Sequence, residues 1–127
     1  MIQPVFFTVK GETPAKKNSR ITLRNGRTIP SAKFRQWHIV ALAQLEIQCG
    51  NMAPFDPIAY PVTISLDFYH SDNRRRDSDN GTSSILDLLQ DASILKDDCW
   101  QIVRNLKIRN HKADEARCDI SILLTED

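Results

Sequence analysis

The chain has 127 residues, 41% of them hydrophobic and 26% charged, with a formal net charge of +1. That length fits one domain with a modest core that needs no staples, and the composition excludes a disordered or collagen-like chain. No apolar run approaches the roughly 20 residues that span a bilayer, and Met1-Ile2-Gln3-Pro4 does not read as a secretory signal. Cys49, Cys99 and Cys118 are an odd set with no CxxC pair, which argues against a zinc site or a disulfide framework and for a reducing compartment. The expected location is cytoplasmic.

Ile2 to Val9 alternates as a strand, with Val5, Phe7 and Val9 on one side and Ile2, Phe6 and Thr8 on the other. Gly11 to Ser19 is a loop by composition and carries Lys16 and Lys17. Asn25-Gly26 between short β-branched runs predicts a hairpin closed by a type I′ turn, in which both central residues take positive φ. That hairpin would present Arg20, Arg24 and Arg27 as a basic finger. From Lys10 to Arg35 eight cationic side chains stand against Glu12 alone, whereas Gln36 to Ser71 has neither Lys nor Arg. Such a segment is either a solvated hairpin or a positive ridge for phosphates.

Ser31 predicts an N-cap for a helix running to about Gln48, with Gly50 beyond its end. Phe34, Trp37, Ala41, Leu42 and Leu45 form its buried stripe, and His38 beside them reads as a structural histidine. Asn51 to Pro61 is a connection. Val62, Ile64, Leu66 and Phe68 face a core from the clearest strand, Pro61 to His70. A second helix follows from about Thr82 to Ala92, with Ile85, Leu86, Leu88, Leu89 and Ala92 on its apolar side and Asn80 as its N-cap. Trp100 to Arg109 reads as a strand with Trp100 in the core, Asn110 to Ala116 as a polar turn, and Cys118 to Leu124 as the last strand.

The chemistry concentrates in Arg74-Arg75-Arg76-Asp77-Ser78-Asp79-Asn80. Guanidinium groups attract phosphate, and paired carboxylates attract a hard divalent cation. If the segment is extended, Asp77 and Asp79 point the same way, because side chains alternate with period two. A second acidic pair, Asp97-Asp98, follows the second helix. That helix would be only ~16 Å long at ~1.5 Å per residue, so one return brings Asp98 within reach of the first pair. Asp77, Asp79 and Asp98 are therefore candidate catalytic carboxylates for one or two Mg²⁺ ions, which activate water and neutralise a leaving oxygen. A charge near a helix N-terminus explains Asp79 by itself, but neither Asp77 nor the arginines.

Arg74, Arg75, Arg76, Lys16, Lys17, Arg24 and Arg27 are the candidate DNA-binding residues. Asp97, Asn80 and Ser83 are secondary candidates, Asp97 being read as a group behind the metal ligands or a turn residue rather than as a direct ligand. Asp87 reads as a polar-face or hydrogen-bonded group, and His70 as structural or a DNA contact. No GxSxG context, Gly-rich phosphate loop or Cys–His pair competes.

These motifs resemble the RusA family of Holliday junction resolvases. The likeness lies in the RRxDxDN run, the LDAL-like Leu86-Asp87-Leu88-Leu89 on the helix, and Leu95-Lys96-Asp97-Asp98 ahead of Ile102-Val103. The nineteen residues from Asp79 to Asp98 match as well. Pro14 to Asn18, the basic hairpin, the helix with Trp37, and Lys107 before a final strand sit in the family's order. The resemblance implies an α+β fold, a small single domain over residues 1–127 with two main helices packed on a mixed β-sheet. It implies a homodimer making Mg²⁺-dependent paired nicks in a four-way DNA junction during recombination and repair, often from a phage or prophage. By the same likeness Asp77, Asp79 and Asp98 hold the metal. A two-fold dimer suits a two-fold junction. One position departs: the family's lysine four residues after the second aspartate is Ser83 here. Lys16, Lys17 or Lys96 would have to supply that charge. Two other classes compete: a junction-binding protein without cleavage, and a metal-dependent phosphohydrolase of small nucleotides.

Overall fold

The computed structural model describes residues 4–16, 20–50 and 56–125. Lys17, Ile2 and the start of the proline-rich connection lie outside them. In chain order the elements are β1 (Val5–Lys10), β2 (Arg20–Thr22), β3 (Thr28–Pro30), α1 (Ala32–Gly50), β4 (Val62–His70), α2 (Thr82–Asp91), β5 (Val103–Lys112) and β6 (Arg117–Leu124). Four strands form one mixed sheet in the order β1-β6-β4-β5, and β2 and β3 form a separate ribbon. The fold is α+β, as expected.

Alternation on β4 decides the layering. Val62, Ile64, Leu66 and Phe68 are buried together with Phe7 and Val9 of β1, Cys118, Ile120 and Ile122 of β6, and Ile85, Leu88 and Leu89 of α2. Helix α1 adds Ala41 and Leu45, and Ser31 caps it by accepting a hydrogen bond from the Phe34 N–H at 3.1 Å. β4 pairs antiparallel with β6 but parallel with β5, so the chain must cross from the end of β4 to the start of β5. Helix α2 makes that crossover. No described helix is long and apolar enough to cross a membrane.

One edge of the sheet is closed by side chains. Gln48 of α1 accepts from the Thr8 N–H at 2.9 Å and donates to the Thr8 carbonyl at 2.8 Å, while Gln44 accepts from the Lys10 N–H at 2.8 Å. Backbone groups of an edge strand that would otherwise be open are thereby satisfied.

Four expectations need correction. The hairpin forms, but its turn is not type I′. Gly26 donates to the Leu23 carbonyl at 3.0 Å, and Gly26 alone in the turn takes positive φ, at 84°. This is a type I turn followed by a left-handed glycine, the three-residue loop that bulges rather than mirrors. Asn80 does not cap α2: the cap is Gly81, with no side-chain hydrogen bond. Asn80 is drawn into the preceding turn, its N–H donating to the Asp77 carbonyl at 3.0 Å. β5 begins and ends three residues later than its apolar pattern indicates, because pairing with β4 carries the polar residues Asn110, His111 and Lys112 into the sheet. Trp100 therefore precedes the strand and is 67% exposed, with the Arg104 guanidinium 5.4 Å from its ring centre.

Gly81 is required by close approach. A methyl group there would lie 2.7 Å from Thr13 Cγ2 and 2.9 Å from Phe68 Cε1. Gly81→Ala is expected to cost about 1–3 kcal/mol in a denaturant melt, and Thr13→Ser in the same chain to recover part of that loss.

On the sheet face away from the helices, Asp67 accepts from Arg109 Nε at 2.9 Å and lies 2.8 Å from His111 Nε2. Burial pushes its carboxyl up, but hydrogen bonds from His111 and Arg109 outweigh it and hold it below the ordinary value. A carboxyl lowered in the folded state contributes stability above its unfolded pKa and loses it as pH falls through the folded one. Asp67→Asn should therefore destabilise the chain at pH 7, and the gap to wild type should close in melts taken progressively below about pH 4.

Candidate active site

The segment from Arg74 to Asn80 leaves the carboxyl end of β4, beside the carboxyl end of the parallel strand β5. Loops at the carboxyl ends of parallel strands are where open sheets place their ligands. A cleft of about 410 Å³ lies there, with His70, Asp72, Arg74, Asp77, Asn110 and Lys112 among its lining residues.

A chain of polar contacts fixes this loop to the sheet. Asn110 Nδ2 donates to the Ser78 carbonyl at 2.8 Å, and Asn110 Oδ1 lies 2.8 Å from His70 Nε2. His70 Nδ1 lies 2.9 Å from Glu12 Oε2, so each ring nitrogen faces an oxygen. Glu12 Oε1 in turn lies 3.5 Å from Arg76, whose Nη1 donates to Asp72 Oδ1 at 2.7 Å. That hydrogen bond, with a further one from the Arg74 N–H, holds the Asp72 carboxyl well below the usual range.

The three arginines thus divide. Arg76 is turned inward onto Asp72 and Glu12, with 17% of its side chain exposed, whereas Arg75 is 92% exposed. Asp77 is 64% exposed, and Arg75 stands 3.9 Å from it. Asp79 is exposed in the turn that leads into α2, its carbonyl accepting from the Thr82 N–H at 3.1 Å. Arg24 and Arg27 are exposed at the hairpin, where Asn25 Oδ1 accepts from the Arg27 N–H at 2.9 Å.

The return after α2 takes place. It brings Asp98 beside the first turn of that helix, in a cleft of about 320 Å³ lined by Lys16, Arg20, Ser83, Asp87 and Asp98. Asp97 lies in an irregular stretch, its Oδ1 accepting from the Asp98 N–H at 2.8 Å. Asp77 and Asp98 therefore line two different clefts. Among the described residues, the acidic group whose donor atoms come within 4.8 Å of one another is His38, Asp87 and Asp91, which can hold a metal ion. In it His38 Nε2 lies 2.7 Å from Asp91, and Lys16 Nζ lies 3.3 Å from Asp87, so both carboxylates already face a partner. Asp77, Asp79 and Asp98 are not drawn together in this way. They are all exposed oxygen donors, the donor type a hard divalent cation takes.

Glu12 and Asn110 are the site residues that sequence reasoning missed. The one signal for Glu12 was its position as the lone carboxylate in a basic segment. Asn110 carried none, since it was assigned to a turn rather than to the strand that aims it at Ser78.

No curated protein matches the chain at a significant level. The family model described as Endodeoxyribonuclease RusA matches residues 11–123 of the 127. That match covers the basic hairpin, both clefts and every described residue of the polar chain from Glu12 to Asn110, and the chain belongs to the RusA endodeoxyribonuclease family.

Proposed function

We propose that this protein is a Mg²⁺-dependent endonuclease that resolves four-way DNA junctions by paired nicks, acting as a homodimer in recombination and repair. The observation that carries the reading is a loop of exposed carboxylates at the strand ends, flanked by the exposed side chains of Arg74 and Arg75, in a chain of a DNA-cutting family. Asp77, Asp79 and Asp98 would hold the cation. When bound there, it neutralises charge on the phosphate and acidifies water for attack.

The protein's own residues do the rest. Arg74 and Arg75 bind phosphates that flank the cut, and Arg24 and Arg27 on the hairpin reach a further stretch of backbone. Arg76 and Glu12 hold the loop in place rather than binding DNA. A dimer is supported by apolar residues facing outward on α1: Val40 and Ile47 are seven residues apart on one stripe, and both are exposed. Three free cysteines, Cys49, Cys99 and Cys118, fit a reducing cytoplasm.

The test is an end-labelled four-way junction beside its matched linear duplex, with Mg²⁺ or with chelator. Symmetric nicks are expected on the junction alone. Asp79→Asn should lower the rate by at least about 10²-fold while junction affinity in chelator is retained. Tight junction binding without product under any divalent cation would leave a binding protein and remove the nuclease.

The hairpin separates DNA from a small nucleotide as substrate. Replacing two phosphate contacts by Arg24→Glu and Arg27→Glu should lower the log–log salt slope of junction binding by about 2. Unchanged binding would show that the hairpin does not touch the backbone.

A further inference from the structure

The loop Gly11 to Lys16 is fastened to α2 at successive residues. Thr13 and Ala15 are buried, Thr13 against Gly81. The Ser84 hydroxyl donates to the Pro14 carbonyl at 2.6 Å. Lys16 follows these fixed points, and its Nζ stands 3.3 Å from Asp87 Oδ1, each side chain about one-third exposed. A partly exposed pair joined by one contact adds little stability. It does restrict where the ammonium group sits.

That place is the cleft of Asp98. Ser83 lies one helical turn before Asp87, so both look out from the same side of α2, and Lys16, Ser83, Asp87 and Asp98 line one cavity. An ammonium group has three donors. Asp87 takes one, and two are left to turn into the cleft, while the short side chain of Ser83 leaves the helix face beneath them open.

We propose that Lys16 is a catalytic cation of this cleft, touching the scissile phosphate opposite Asp98, and that Asp87 positions it. The proposal rests on the nuclease reading. A cation aimed at oxygens whose negative charge grows during bond breaking stabilises the transition state more than the bound substrate. A mere phosphate anchor holds both equally, and a solvated surface lysine affects neither. The three roles therefore differ in how rate and affinity change.

The experiment measures single-turnover nicking of the four-way junction with Mg²⁺ and junction affinity in chelator for each variant. Lys16→Met should lower the rate by about 10²-fold and leave affinity within about threefold, one contact among many. Asp87→Asn should lower the rate by less, again without loss of affinity. Ser83→Lys, introduced into the Lys16→Met chain, should restore most of the rate, because position 83 opens into the same cleft. Wild-type rates in Lys16→Met, a parallel fall of rate and affinity, or failure of Ser83→Lys to restore the rate would each overturn the proposal. Should melting show that Lys16→Met has lost its fold, Lys16→Gln, which still bonds Asp87, takes its place with the same readings. A wild-type chain that nicks nothing would instead remove the nuclease reading, a result distinct from any of these.

Discussion

The docking of the loop Gly11 to Lys16 onto the start of α2 is the constraint on which the site depends. Its residues act in turn. Glu12 holds His70 and Arg76, Thr13 fills the space that Gly81 leaves, Pro14 accepts from Ser84, and Lys16 meets Asp87. None of these contacts is strong alone, and several are partly exposed. Together they join the N-terminal strand to the acidic loop across some seventy positions of sequence, the separation of Pro14 from Ser84. An acidic loop at the end of a strand would otherwise have only its own turn to define it.

Charge is arranged for the same purpose. The chain is nearly neutral overall, yet Arg75 and the hairpin arginines are left exposed while Arg76 is neutralised by Asp72 and Glu12. Two adjacent arginines of identical chemistry thus have different tasks, one structural and one facing solvent. The difference comes from the fold, since the structural partners arrive from residues 12 and 72.

Much of this was legible in the sequence. Period-two burial gave β4 its inner residues Val62, Ile64, Leu66 and Phe68, and helical spacing gave Phe34, Ala41 and Leu45. The acidic loop, the return to Asp98 and the exposed hairpin were legible because each rests on local composition. What failed was set by distant partners. β5 extends into polar residues because β4 offers a pairing partner, and the cap passes from Asn80 to Gly81, where Thr13 and Phe68 approach the backbone. The twin tasks of Glu12 and Asn110 come from side chains that meet only after the sheet assembles. Spacing singled out Asp77, Asp79 and Asp98 as candidates, while among the described residues the structure gathers donor atoms at His38, Asp87 and Asp91, a set spread over two helices and invisible as a motif.

The carboxamides of Gln44 and Gln48 have a consequence for the sheet as a whole. A glutamine side chain carries the same donor and acceptor as a peptide group, so α1 supplies β1 with an imitation of a neighbouring strand. The sheet is thereby given a polarity. Its β1 border is already answered, whereas β5 at the far border keeps the hydrogen-bonding potential of an outermost strand. Growth of the sheet by recruitment of another chain has one direction available to it, away from the helix and along β5, where Lys107 is exposed. A lysine on an outermost strand discourages pairing with further copies, so one border is sealed by mimicry and the other guarded by charge.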